Sequence, residues 1–202
     1  MSDDDEERYD LGEYDHAFFI DNQDEQFRFG GFIIPKLNDL LKPKTVVDIG
    51  CAGGGQIELW RNLEVDARGV EGSPNIDEII STVAKEFILS HDLRDKLESP
   101  IVDNVDLIQS YEVAEHIEHK FSEVFVENIT IHKPKKIIIT AAPIGQAGTH
   151  HVNCQNKDYW VERFEKNGYN IDNETEEIVR SWGDPPNCAP WFLPNLMVYK
   201  RG

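Results

Sequence analysis

The chain has 202 residues, 40% of them hydrophobic and 10% aromatic, enough for one α/β domain with a full core and too apolar for a disordered chain. Acids outnumber bases 38 to 20, and the resulting net charge of −18 argues against long nucleic acid and anionic membranes as partners, since both call for clustered Lys and Arg. No apolar run approaches the roughly 20 residues that cross a bilayer, the start Asp3 to Glu7 is too acidic for a secretory leader, and the widely spaced Cys51, Cys154 and Cys188 suggest a reducing compartment, so a cytoplasmic protein is expected.

In chain order, residues 1–15 read as a solvated acidic arm. Residues 16–42 carry Phe18, Phe19, Phe27, Phe29 and Phe32, then a helical pattern of Ile33, Ile34, Leu37, Leu40 and Leu41 that Pro43 stops. Together they form an N-terminal arm and helical cap, 1–42, ahead of a single globular domain, 43–202. A buried strand at 45–50 precedes a helix over about 54–63, and a second strand runs from Ala67 to Glu71. A short helix around 75–84 leads into a weak strand, Glu86 to Ser90, which ends at His91 and Asp92. Val105 to Ser110 is a further strand, 118–129 a helix, and Lys136 to Ala141 a strongly apolar strand. A Gly- and His-rich loop covers 142–156, a helix spans Asp158 to Asn167 with Gly168 after it, and Tyr169 to Glu174 and Asn195 to Lys200 are the last strands. Strands alternating with helices imply an α/β fold with a mostly parallel sheet and helices on both faces. The final pair, lacking a long crossover, suggests an antiparallel edge hairpin.

The run Val46-Val47-Asp48-Ile49-Gly50-Cys51-Ala52-Gly53-Gly54 carries the most information. Strand, glycine turn and helix suit a nucleotide-type ligand at a parallel sheet edge, because glycine lets the backbone approach closely and the helix start offers free N–H groups. The dinucleotide fingerprint and the P-loop are both absent. The pattern, with its acid two residues before the first glycine, resembles motif I of the class I S-adenosylmethionine-dependent methyltransferases, and the likeness extends over about residues 44–200. It implies a Rossmann-like fold with seven strands and an S-adenosylmethionine site. In such a site Asp48, Gly50, Cys51, Ala52 and Gly53 form the turn, with Asp48 also near the cofactor's amino group. Glu71, 21 residues after Gly50, would grip the ribose hydroxyls beside Gly72, Asp92 and Leu93 would lie by the adenine, and Ser110 would close the fourth strand. Ala52 stands where many members have glycine, which is tolerable if its φ is negative.

Ser110-Tyr111-Glu112-Val113-Ala114-Glu115-His116 follows the fourth strand. If 112–116 begin a helical turn, Glu112, Glu115 and His116 share one face and offer a half-shell for a divalent cation. The Glu-Val-x-Glu-His form resembles metal-binding members, among them small-RNA 2′-O-methyltransferases and ubiquinone-pathway O-methyltransferases. The resemblance adds a loop histidine, His151 with His150 close behind, to a site of Glu112, Glu115, His116 and His151 holding Mn²⁺ or Mg²⁺. Without a metal, His116 or His151 would be the general base.

The segment from His151 through Asn153, Gln155, Tyr159, Trp160 and Phe164 to Tyr169 is similar to one in small stand-alone methyltransferases that accompany glycosyltransferases. The acceptor expected is therefore a sugar or glycan hydroxyl, with Asn153 and Gln155 as hydrogen-bonding groups and Trp182, Trp191 and Tyr14 as stacking platforms, Trp182 and Trp191 flanking the Gly183–Pro186 loop. Tyr14, Phe18 and Phe19 form either a lid over the cofactor or an extra core layer. Phenol or catechol and RNA 2′-O-methylation are rival activities, and a non-catalytic cofactor- or partner-binding module is the rival of another class.

Overall fold

The computed structural model describes residues 16–73, 85–183 and 188–202, with side chains from Phe27 onward. The acidic arm, the helix expected at 75–84 and the tip of the Gly183–Pro186 loop lie outside the described residues, as do the side chains of Tyr14, Phe18 and Phe19. Among the described residues no helix is long and apolar enough to cross a membrane.

Helix α1 spans His16–Leu41, so the cap helix starts well before the apolar stretch that announced it. Strand β1 (Thr45–Ile49), helix α2 (Gly55–Asn62), strand β2 (Asp66–Glu71) and the short strand β3 (Ile88–Ser90) follow. Next come β4 (Leu107–Tyr111), helix α3 (Ser122–Thr130), β5 (Lys136–Thr140), helix α4 (Lys157–Lys166) and β6 (Tyr169–Ile171). Helix α5 (Asn173–Arg180) takes the place of the last residues expected in the sixth strand. Its cap is Asp172, whose side chain accepts from the Thr175 N–H, and that local bond outweighs the weak strand pattern. The turn α6 (Phe192–Asn195) leads into β7 (Leu196–Arg201).

The seven strands lie in the order β3-β2-β1-β4-β5-β7-β6. The first five are parallel, and β7 runs antiparallel between β5 and β6, so the antiparallel pair sits at the edge with α5 and α6 in its connection. The chain leaves β1 towards β3 and returns to β4 on the other side. The crevice at the carboxyl ends of β1 and β4 is therefore the place where such sheets receive ligands.

Successive strand residues face opposite sides, which divides the core in two. Val46, Leu107, Ile138 and Val198 pack against α1 and α2 through Phe29, Ile33, Ile34, Leu37, Ile57 and Trp60. Val47, Ile49, Ile108, Ile137 and Ile139 pack against α3 and α4 through Phe125, Ile129, Trp160 and Phe164. Asp48 and its cross-strand partner Gln109 consequently face the α1/α2 side. The two N-terminal helices meet closely there, since a Cβ on Gly55 would lie 3.1 Å from the Phe27 ring.

Candidate active site

The turn after β1 depends on backbone conformations that side chains resist. Gly50 has φ +77°, and a Cβ there would sit 2.4 Å from a methyl of Val113. Gly54 opens α2 at φ 82°. Ala52 does not have the negative φ that its side chain would favour: it lies at +47°. A non-glycine residue in this region costs about 1–3 kcal/mol and persists only where its surroundings impose it. What imposes it is Glu71, whose Oε2 accepts the Ala52 N–H at 2.7 Å.

The other Glu71 oxygen accepts the Ser73 N–H at 2.9 Å. A carboxylate has about four acceptor positions, and the N–H groups of Ala52, Ser73 and Gly72 all bear on this one, which leaves room for a further donor such as a ribose hydroxyl. Burial is the main influence raising the Glu71 pKa, with the surrounding N–H groups opposing it. Asp48 is pushed up to about 7, first by burial; Gln109 opposes the shift and the Glu71 charge adds to it. Behind the turn runs a buried amide relay. Trp60 Nε1 donates to Gln109 Oε1 at 2.9 Å, and Gln109 Nε2 donates to Gln56 Oε1 at 2.9 Å.

The remaining residues expected at the cofactor differ in what they touch. Gly53 is half-buried at the tip of the turn, and Gly72 lies against the backbone of Asp92 and Leu93, bringing the ends of β2 and β3 together. The Cys51 thiol points away into the core beneath Gly69, which leaves only its backbone at the turn. Ser110 Oγ donates to the Ile49 carbonyl at 2.8 Å and ties β4 to β1. The Asp92 carboxylate is bound by Arg94, whose Nε and Nη2 reach its oxygens at 2.8–3.1 Å. That pairing uses a guanidinium two residues along the chain, a partner that no sequence motif marks.

Beyond β4 the chain does not form the helical turn that would line up the Glu-Val-x-Glu-His side chains. Glu112 takes φ +52°, and a short 3-10 turn spans Ala114–His116. The left-handed residue breaks the helical spacing but leaves the Glu112 side chain next to that of Glu115. Its carboxylate is held by two amides, Gln146 Nε2 at 3.0 Å and Asn195 Nδ2 at 2.9 Å. The expected set of four ligands therefore gathers as three: Glu115, His116 and His151 each offer an atom within 4.8 Å of the others.

The loop that carries His151 is stapled to this turn, because the Val152 and Asn153 N–H groups both donate to the Glu115 carbonyl. The His116 and His151 rings stand edge to face with centroids 5.1 Å apart. His116 Nδ1 bonds the His150 carbonyl at 3.1 Å, so His150, at φ +57°, contributes its backbone while His151 contributes its ring. Holding one ring nitrogen by a carbonyl fixes the tautomer that presents the other, as metal-ligating histidines require. Burial, with His151 alongside, lowers His116 to about 4, which keeps it neutral and able to ligate. Glu115 is fully buried, and its Oε2 has no hydrogen-bond partner among the described residues. Burial foremost, then the Glu112 charge, drives its pKa well up. An unpartnered buried carboxylate oxygen beside two imidazoles, one of them held neutral by burial, is a donor set that fits a divalent cation.

The polar residues expected to face an acceptor bond within their own loop. Asn153 Nδ2 donates to Ser122 Oγ at 3.0 Å, and Gln155 Nε2 donates to Asn153 Oδ1 at 2.9 Å, so both brace the loop. Trp160, Phe164 and Tyr169 pack in the core, while Tyr159 bonds Ser122. Trp191 lies against Phe29, and Trp182 packs on the same cluster. Gln146 and Asn195 escaped the sequence reading because nothing in their neighbourhoods marks them.

No family model matches the sequence. Among solved structures, the methyltransferase domain of bacterial CtHen1 is 16% identical with a TM-score of 0.60, over 88% of this chain and 99% of that one. A SAM-dependent methyltransferase from Archaeoglobus fulgidus is 15% identical at a TM-score of 0.61, over 93% and 100% of the two chains. The small RNA methyltransferase HEN1 is 15% identical at 0.58, and the match takes in 84% of this chain and 24% of that longer one. The strand order and these likenesses define the fold as that of the class I S-adenosylmethionine-dependent methyltransferases.

Proposed function

We propose that the protein is an S-adenosylmethionine-dependent O-methyltransferase whose acceptor is a hydroxyl of a sugar or glycan, with a divalent cation, Mn²⁺ or Mg²⁺, assisting. The observation that carries this reading is the Glu115, His116 and His151 cluster at the carboxyl end of the sheet, in the region after β4 and β5. When bound, the cofactor would supply the methyl group and the cation would acidify the acceptor hydroxyl.

The chain's own residues have separable tasks. Glu71 receives the ribose on the acceptor capacity that the N–H groups of Ala52, Ser73 and Gly72 leave open. Glu115, His116 and His151 hold the cation. Glu112, fixed by Gln146 and Asn195, stands beside Glu115 as an oriented carboxylate able to take the acceptor proton. Orientation of this kind supplies much of the rate in a transfer where the reactive group arrives with the cofactor.

A second acceptor, the terminal ribose of a small RNA, is supported by the likeness to the small RNA methyltransferase HEN1 and to the CtHen1 domain. Such an end also presents a vicinal diol. A net charge of −18 disfavours a long phosphate track but leaves room for local contacts with a terminus. A phenol or catechol acceptor is a weaker alternative, and a non-catalytic module on this fold is the alternative of another class.

The test is methyl transfer from labelled cofactor, with and without Mn²⁺, to a sugar panel and to RNA ending in either a ribose or a deoxyribose. Metal-dependent label in a sugar supports the first acceptor, and label only in the ribose-ended RNA replaces it with the second. Binding of S-adenosylhomocysteine with no transfer to any acceptor, and no effect of Glu115→Ala on cofactor affinity, would favour the non-catalytic module.

A further inference from the structure

Tyr111 ends β4 on the α1/α2 face, two residues beyond Gln109 and therefore on the same side of the sheet as Asp48. Its ring is held edge-on by Phe29 at 5.5 Å and by Phe192 at 5.6 Å. These contacts come from α1 and α6, so the ring has little freedom to carry its hydroxyl elsewhere. The hydroxyl is buried and has no hydrogen-bond partner among the described residues.

A buried hydroxyl without a partner destabilises the protein that holds it. Phenylalanine would fill the same aromatic surroundings without that cost, so the oxygen points to a partner that arrives with a ligand. Burial, and after it the Asp48 charge, raises the Tyr111 pKa well up, so the group stays a neutral phenol with lone pairs to offer. A phenol oxygen and a carboxylate on one face, beside a glycine turn, suit a small cation with several N–H donors. Glu71 lies on the far side of β1, at the end of β2. A ligand whose ribose meets Glu71 would cross the turn and bring its opposite end to Asp48 and Tyr111.

We propose that Tyr111 Oη, together with Asp48, receives the ammonium group at the amino-acid end of the cofactor. Tyr111 is thus a cofactor-binding residue that discriminates an intact S-adenosyl amino acid from the bare nucleoside thioether. This rests on the cofactor reading above.

The experiment is calorimetry of wild type and Tyr111→Phe with S-adenosylhomocysteine and with 5′-methylthioadenosine, which lacks the amino-acid end. A hydrogen bond to a charged group predicts a Kd for S-adenosylhomocysteine about tenfold higher in the variant. Binding of 5′-methylthioadenosine should be unaltered, and the ligand-free variant should melt above wild type. Equal affinity of both proteins for S-adenosylhomocysteine, with Glu71→Ala losing it, would overturn the proposal and leave the cofactor site standing. Equal weakening of both ligands would also overturn it, by moving the hydroxyl to the nucleoside end. If wild type binds neither ligand, the cofactor reading falls and the proposal falls with it.

Discussion

Asp48 is a carboxyl group that burial has made reluctant to ionise, with a pKa up at about 7 against an ordinary 3.8. A folded pKa above the unfolded one means that the protonated form favours folding. Its contribution to the ligand-free protein is complete below about pH 3.8 and is lost as pH rises through about 7. Cofactor affinity should run the other way, because an ammonium group pairs with the charged carboxylate. The Kd for S-adenosylhomocysteine is expected to fall as pH rises through about 7, and Asp48→Asn should flatten that dependence. Calorimetry across this range checks it; a slope that survives Asp48→Asn would assign the titration to another group.

Between β5 and α4, the loop from Ala141 to Asn156 owes its shape to a few specific bonds rather than to periodicity. The Glu115 carbonyl takes two of its N–H groups, and Ser122 takes the Asn153 amide. Gly148 matters for a separate reason, since a Cβ there would fall 2.1 Å from Nε2 of the His151 ring. The ring is the end of a side chain and can swing aside at little cost to the fold, but not while keeping its place next to His116. Gly148→Ala should therefore weaken Mn²⁺ binding by about 10–100-fold, the range seen when ligand orientation is lost. Its melting temperature should stay close to that of wild type. Unchanged Mn²⁺ affinity would remove His151 from the metal site. The same reasoning explains why the Glu-Val-x-Glu-His motif does not by itself show how Glu112 is held: it leaves the helical conformation, and its partner Asn195 lies 83 residues away.

On the scale of the molecule, α1 shares a core with the sheet rather than resting on it. Ile33, with 0% exposure, packs in one cluster with Val46, Trp60 and Val198. Ile33→Ala should lower the stability of the whole fold by about 2–5 kcal/mol in a single urea transition. A separate early transition, with the main one unmoved, would make α1 an independent cap. The sequence alone was sufficient for the glycine turn, the apolar strands, the strand-end acids and the seven-stranded α/β plan, because these follow from local sterics and from side chains alternating along a buried sheet. It also marked Glu115, His116 and His151 as metal-type residues. Only the tertiary structure decided which of them meet. It fixed Glu112 with two distant amides, turned Asp92 towards Arg94, buried Asn153 in the brace of its own loop, and left the Tyr111 hydroxyl without a partner among the described residues. Each of these outcomes depends on groups brought together by packing or on a single backbone torsion, and neither leaves a periodic trace in the chain.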